Sequence, residues 1–492
     1  MLHKINLFFL LLINFILTST NYNIELKNLI SFENDSNNFG VSDVWGYTDE
    51  TGIEYAIVGY RYGTIIIDVS SSNAPIEVAN IIGPSNGDYY YHRDYKTYEN
   101  HLYIVNEMYG GDMGMQVVDL GPLPDNPPVQ LNTYDNISQS HNLWIDDSGY
   151  AFIEHQTGDN IHIANLINPS LPIYHSSFFS EGLNCHDIYT RNQIGYISEG
   201  YSNRFAIYDL SNLNNISDPI ATIPCEGYAH NAWLNDMGTH LITTEETNNK
   251  TVKIWDIRDL SNIVLSGEYL GENNLAHNVH VFNDLLYISH YTTGLKIVDI
   301  HNPERPVEIA AYDTYEENDD SGFYGCWGAY PFTNNNYVYA SDMQNGLFIF
   351  DFAPIRAGYV SGYIYFNNTI PLSNATLKSI LNNKEFTTDE NGFFDIGFAQ
   401  GLQEFIINDE HLITINFIPQ ETTFNNFYIG ETLIPGDINS DNIINILDVV
   451  LVVNFILENT TPTNEELWTS DLNQDTIINI QDIILLINLI LN

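Results

Sequence analysis

One apolar run that closes on an acid recurs seven times in the first 352 residues, and it restricts the chain to folds built by stacking like units. The copies are GTIIIDV at 63–69, GMQVVDL at 114–120, NIHIANL at 160–166, RFAIYDL at 204–210, TVKIWDI at 251–257, GLKIVDI at 294–300 and GLFIFDF at 346–352. Anchored on Asp68, Asp119, Asn165, Asp209, Asp256, Asp299 and Asp351, successive copies lie 43 to 52 residues apart. That period holds four strands and their turns, so it predicts a blade of a β-propeller rather than a helical-pair repeat. The sixth copy shows the order: strands at 277–282, 285–290, 294–300 and 306–311, separated by Asn-Asp, Thr-Thr-Gly and Asn-Pro turn signals. The seventh repeat has only three strands before the composition changes. The stretch 23–28, which resembles 75–80 of the first repeat, is expected to supply the fourth and to close a seven-bladed ring without an open sheet edge.

The repeats resemble the LVIVD-repeat propellers of the choice-of-anchor B family, secreted bacterial proteins in which the C-terminal attachment module varies. The resemblance spans about residues 22 to 352 and implies an architecture more than an activity. Other features agree with an extracellular setting. A short basic start at His3 and Lys4, an apolar run over 5–17 and small residues at Thr18, Ser19 and Thr20 predict a signal peptide over 1–20; about 13 apolar residues fall short of the roughly 20 that span a bilayer. No later run is long enough to do so, so no transmembrane segment is expected. With 15 basic and 63 acidic residues the formal charge is −48, which disfavours nucleic acid and anionic membranes and suits cations, salty media or a basic partner. Three cysteines, Cys185, Cys225 and Cys326, allow at most one bridge.

The chemistry of the propeller gathers at the first strand of each blade. Five blades begin with His92-Arg93, His141-Asn142, His186-Asp187, His230-Asn231 and His277-Asn278, while blades one and seven have Trp45-Gly46 and Trp327-Gly328. If the first strand is innermost, these side chains ring the channel mouth. The antiparallel second strand returns beside them and carries Glu107, Glu154, Glu199, Glu245, His290 and Asp342 at its end. Imidazoles and carboxylates are therefore expected on one face. Two readings stay open: a duplicated structural pair that orders each inner hairpin, or a convergent site for a divalent metal or polar ligand. Cys185 and Cys326, beside His186 and Trp327, read first as small packing residues and only second as metal ligands or nucleophiles. No Ser-His-Asp order or nucleophile elbow stands out, and the two carboxylates of glycoside hydrolysis could come from the Glu set.

Beyond Phe352 the chain reads as short strands with an Asn-Gly turn. The order Val360-x-Gly362, Ala375-x-Leu377, then Thr387-Thr388-Asp389-Glu390-Asn391-Gly392-x-Phe394 resembles carboxypeptidase-regulatory-like modules, which implies a small β-sandwich over 357–432. The last segment is more specific. Asp437, Asn439, Asp441, Ile443, Asn445 and Asp448 recur 34 residues later as Asp471, Asn473, Asp475, Ile477, Asn479 and Asp482. Oxygen ligands at positions 1, 3, 5, 9 and 12, with a backbone carbonyl at 7, have the spacing of a twelve-residue Ca²⁺ loop. One helix follows each loop, over 449–457 and 483–491. Two loop-helix units without an entering helix resemble a dockerin, which implies two Ca²⁺ ions and a cohesin-type partner. Asn442 and Thr476 stand where position 6 is usually Gly; Thr tolerates a left-handed backbone poorly, so the second loop is expected to bind more weakly.

The sequence thus predicts a mainly β protein with a signal peptide over 1–20, a seven-bladed LVIVD-repeat propeller over 21–353, a β-sandwich over 357–432 and a small helical dockerin over 433–492. The expected function is a secreted propeller that binds an extracellular or cell-surface ligand, such as a glycan, and is attached by a calcium-dependent dockerin. Its alternatives are a polysaccharide-degrading hydrolase delivered by the dockerin and a purely structural surface component.

Overall fold

The computed structural model describes residues 21–70, 74–84, 92–108, 113–155, 160–182, 185–271, 275–317, 321–367, 370–430 and 433–491. The expected signal peptide lies outside them. The chain divides into two compact units that meet at Ala357 and Gly358. Both are mainly β, and the three helices among the described residues fall at the C-terminus.

In the first unit the described strands form seven four-stranded antiparallel sheets. The first sheet runs Val41–Thr48, Glu54–Tyr60, Gly63–Asp68 and Ile76–Ile82, and the next five follow the same order. The seventh takes Cys326–Tyr330, Tyr337–Asp342 and Gly346–Asp351, and its fourth strand is Glu25–Ile30, from the other end of the chain. The pairing runs Glu25 to Asp351, Leu26 to Phe350 and Ile30 to Leu347. The N-terminal segment also reaches the sixth sheet, where Asn23 Nδ2 donates to the Ile309 carbonyl at 2.7 Å. The first strand of each sheet lies against the first strand of the next, and Cys326–Tyr330 lies against Val41–Thr48.

The recurring run is the third strand of each sheet. It is largely apolar because it is covered on both faces: in the first sheet Ile66 packs with Tyr95, Leu102, Ile104 and Val118 of the second, and Ile65 and Ile67 pack with Tyr339, Leu347 and Ile349 of the seventh. Most fourth strands are more open, as in Ile76–Ile82, whereas Val307–Tyr312 of the sixth sheet is largely buried. The terminal acid has a different duty. It folds back to accept the backbone N–H two residues on, at 2.8 Å for Asp68, Asp119 and Asp209 and 2.7 Å for Asn165. This Asx turn stops the strand and starts the turn into the fourth, and an amide performs it as well as a carboxylate.

The second unit opens with two β-sheets. Ala357–Phe366 is the centre of one, beside Phe393–Ala399; Thr376–Ser379, Gly401–Ile407 and His411–Phe417 build the other with Glu385–Thr387. Buried Phe394, Phe398, Phe405 and Phe417 supply much of the apolar interior. Three helices follow: α1 (Ile446–Ile456), α2 (Asn464–Ser470) and α3 (Ile480–Leu491). Val449, Val452, Phe455, Ile483 and Leu486 form a small core with Ile438. Two expectations are corrected here. α1 and α3 start three residues earlier than the apolar runs imply, because Asn445 is an N-cap and Asp448 completes a capping box from inside the loop. The second loop is also preceded by a helix: α2 is capped by Thr463 and Glu466, a T-x-x-E signature legible in the sequence. No helix among the described residues is long and apolar enough to cross a membrane.

Candidate functional site

The C-terminal loops are the more completely determined of two sites. In the first, the two Asp448 oxygens accept N–H groups from opposite ends of the loop: Ile438 at 2.8 Å and Asn439 at 3.2 Å on one, Asn445 at 2.8 Å on the other. Asp437 accepts from Asp441 and Asn442, and Asn439 Nδ2 donates to Asp441. The second loop repeats the wiring, with Asp482 accepting from Leu472, Asn473 and Asn479, and Asp471 from Asp475 and Thr476. The positive φ at position 6 is present in both, 64° at Asn442 and 67° at Thr476, and Ser440 and Gln474 add a second left-handed residue to each. Asn445 and Asn479 each donate to the carbonyl at position 7, of Ile443 and Ile477.

Asp448 and Asp482 are fully buried, yet 433–492 holds nine acidic residues and no Lys, Arg or His. Buried carboxylates with only N–H partners and further acids beside them need a cation. An all-oxygen donor set from Asp437, Asn439, Asp441, the Ile443 carbonyl, Asn445 and Asp448, and its copy around Asp471, Asn473, Asp475, Ile477, Asn479 and Asp482, fits calcium.

The second site lies where the first strands of the seven sheets meet. His92, His141, His186, His230, His277 and Trp327 form a closed ring with neighbouring centroids 4.1 to 5.4 Å apart. Trp45 is not in it. Val41 pairs with Tyr60 where Ala229 pairs with Glu245 and Cys326 with Asp342, so Ser42, not Trp45, corresponds to the imidazole position. Trp45 lies three residues further along its strand, with its ring centroid 4.4 Å from the Lys96 ammonium and beside His280, Tyr330 and Phe332.

Polar residues one or two places after three of the histidines have a separate task. Asn142 and Asn231 accept the N–H of Ile188 and Val279, on the first strand of the next sheet, at 3.4 and 3.1 Å, and Asp94 accepts that of Leu143 at 2.7 Å. These side chains satisfy backbone donors that an inner edge strand would leave unpaired. The imidazoles follow the same circuit: His186 Nδ1 donates to the His230 carbonyl at 3.0 Å and His277 Nδ1 to the Trp327 carbonyl at 2.5 Å.

The carboxylates do not all share the mouth, which corrects the single-face expectation. Glu107 meets His141 Nδ1 at 3.1 Å, and Glu154 accepts the His141 N–H at 2.9 Å. Glu199, Glu245, His290 and Asp342 are taken up by loops. Glu199 accepts from Ser180 and Gly182 and pairs with Arg204; Glu245 accepts from Gly227 at 2.6 Å and pairs with Lys253. His290 Nδ1 meets Thr293 at 2.8 Å, and Asp342 accepts from Thr314 at 2.7 Å. The residue facing the mouth is Glu246, one position beyond Glu245; successive strand residues point to opposite faces, so an offset of one exchanges loop for channel.

Burial opposes charge on His141, but the Glu107 hydrogen bond and charge outweigh it and hold the imidazole up at about 9. Glu107 is pushed up by burial and brought below its ordinary value by His141. Burial lowers His92 to about 4 and His186 to about 3, and takes His230 and His277 well below the usual imidazole range. At neutral pH the ring is thus one imidazolium paired with Glu107 and four neutral imidazoles. Burial raises Glu154 to about 7 and also raises Glu246. Above the ring lies a cavity of about 330 Å³ walled by Phe39, Tyr291, Phe323, Trp327 and Met343. All three cysteines are free, and Cys185 and Cys326 are buried, as packing residues.

Comparison with known proteins agrees with this division. Residues 435–491 match the dockerin type I domain, and residues 275–314 match the LVIVD repeat. Dockerin type I domains bind calcium and imply a cohesin partner, and the LVIVD repeat is consistent with a β-propeller. No curated protein matches the chain. Among solved structures, Raptor of Chaetomium thermophilum aligns with 68% of this chain at 9% identity and a TM-score of 0.49, and the chain spans only 30% of that one. A chain of the mitotic checkpoint complex aligns over 67% of this chain and 96% of its own length, at 10% identity and a TM-score of 0.50. At such identity the likeness concerns the fold alone.

Proposed function

We propose that the protein is a secreted, seven-bladed propeller of the LVIVD-repeat type, closed by its N-terminal strand, that binds an extracellular ligand at its imidazole-lined mouth. A β-sandwich of the carboxypeptidase-regulatory-like kind separates it from the dockerin, which holds two Ca²⁺ ions and fastens the chain to a cohesin-type partner. The observation that carries this reading is the pair of identically wired loops without a basic side chain in their segment, since such loops gain a stable structure only around a cation. Ile446, Leu447, Val450, Ile480, Ile484 and Leu485 remain exposed after α1 packs on α3, an apolar patch of the kind a partner covers.

At the other end of the chain, binding is favoured over polysaccharide hydrolysis. Among the described residues that line the upper cavity, Glu246 is the one carboxylate, whereas glycoside hydrolysis ordinarily uses two. The aromatic walls suit the apolar faces of a sugar ring or an aromatic group. Full-length protein screened on a glycan panel for both capture and product release tests this. Capture that falls when exposed Phe323 becomes Ala supports the mouth as the binding site; released oligosaccharide supports the hydrolase instead.

A further inference from the structure

We propose that the mouth holds a divalent transition-metal ion on His230, His277 and Glu246, with an open coordination position facing the aromatic-walled cavity. The inference deepens the reading of the mouth as a ligand site, and rests on it, by naming the centre a ligand would meet.

The ligand atoms of these three side chains lie within 4.8 Å of one another, the one such group among the described residues. His277 is 1% exposed and its Nδ1 donates to the Trp327 carbonyl. In a neutral imidazole that bond leaves Nε2 as a bare lone pair, and Nε2 has no partner in the protein. A buried acceptor without a donor is costly, and a metal ion satisfies it. His230, 2% exposed, brings Nε2 to 3.7 Å from Glu246 Oε1. That is too long for a hydrogen bond. Ligands of a tetrahedral ion at about 2.0–2.1 Å sit roughly 3.3 Å apart, so small side-chain movements close the set around one ion.

The surroundings are those of a metal site rather than a packing cluster. The Trp327 carbonyl fixes the His277 tautomer, and the Tyr291 hydroxyl donates to Glu246 Oε1 and sets the carboxylate's orientation; such outer partners are what hold ligands in place. His141 stands outside this group, its Nδ1 committed to Glu107. Two imidazoles and one carboxylate suit a first-row transition ion, Zn²⁺ above all, whereas the all-oxygen loops near the C-terminus suit Ca²⁺. Three protein ligands leave a fourth position, and the cavity of about 330 Å³ lies against it. A ligand with an anionic or lone-pair donor head and an apolar body matches both.

Full-length protein, saturated with CaCl₂ so that the C-terminal loops are filled, is dialysed against ZnCl₂ and its metal content measured. The expected result is one Zn²⁺ per chain, lost in His277→Ala, with roughly 10- to 100-fold weaker binding in Tyr291→Phe. Co²⁺ in place of Zn²⁺ should give the intense visible absorption of a four-coordinate nitrogen and oxygen site. Glu246→Gln, which keeps the shape and the Tyr291 bond, serves if His277→Ala does not fold. Zn²⁺ uptake that is absent, or equal in wild type, His277→Ala and Glu246→Gln, overturns the metal site. The mouth-ligand reading is scored separately, by whether Phe323→Ala, which leaves the three ligands in place, lowers glycan capture in the same CaCl₂ and ZnCl₂ buffer.

Discussion

At the scale of single residues, the sequence shows where chemistry collects better than it shows what each side chain does. The five His positions were legible because duplication set them in one register. Their neighbours Asn142 and Asn231 were not separable from them, since only the sheet-to-sheet hydrogen bonds reveal that the amide serves the backbone and the imidazole the channel. Glu245 and Glu246 show the limit most sharply: alternation tells that they face opposite ways, not which way each faces. Trp45 was misplaced by matching it to the ring histidines, although Trp144 and Trp233 stand three residues after His141 and His230 as Trp45 stands three after Ser42, and the irregularity in its strand recurs at Ala229–Asn231 and Cys326–Gly328. Thr476 is a case where the residue's own stereochemistry is decisive. It holds a φ of 67°, a region that costs an L-residue roughly 1–2 kcal/mol. Thr476→Gly should therefore tighten Ca²⁺ at the second loop by about 10-fold, read as a shift of the weaker step in a calorimetric titration; an unchanged weaker step argues against strain at this position. Burial, then the Lys96 charge, hold buried His280 at about 3, against about 6.5 in an unfolded chain. Its contribution to stability is whole above about pH 6.5 and is lost as pH falls toward 3, because the unfolded chain then takes up a proton the native state refuses. His280→Phe, which faces Trp45, Trp233 and Phe332, should lower the slope of unfolding free energy with pH by about 1.4 kcal/mol per unit in that window. Urea unfolding from pH 4 to 6 measures it, and parallel slopes would count against the assignment.

At the scale of elements, the third strands were legible from their apolar runs, and the acid that ends each was a reliable marker for a reason the sequence alone concealed. The Asx turn explains both the recurrence of Asp and the harmless Asn165. Helix starts were read late because the loop's last ligand doubles as a capping residue, so function and helix share Asp448. The N-terminal strand is the element whose removal is most informative. Glu25–Ile30 is only partly buried, so its weight lies in its ladder with Gly346–Asp351 rather than in apolar burial. At roughly 1 kcal/mol for each lost ladder bond, deleting residues 21–30 should lower stability by several kcal/mol and expose the edge of Gly346–Asp351 to aggregation. Thermal unfolding compared with a chain that begins at residue 21 tests it; an equal melting temperature without aggregation would mean that the seventh sheet does not need its fourth strand.

At the scale of the whole molecule, two kinds of cation chemistry stand in one strongly acidic chain: oxygen-only loops in the C-terminal segment and an imidazole-rich mouth in the repeat unit. The first was legible from spacing alone, because a calcium loop is a local structure. The second needed strands brought together from residues as distant as 92 and 327, which no local pattern encodes. The central claim is that calcium organises the C-terminal segment and that attachment depends on it. The direct measurement is calorimetric titration of full-length protein with a type I cohesin module in CaCl₂ and in EGTA, with helix content followed by circular dichroism in the same buffers. One-to-one binding in calcium, lost together with helical signal in EGTA and restored on adding calcium back, is the predicted result. Equal binding in EGTA, or no binding in calcium while α1 and α3 are formed, would contradict the account.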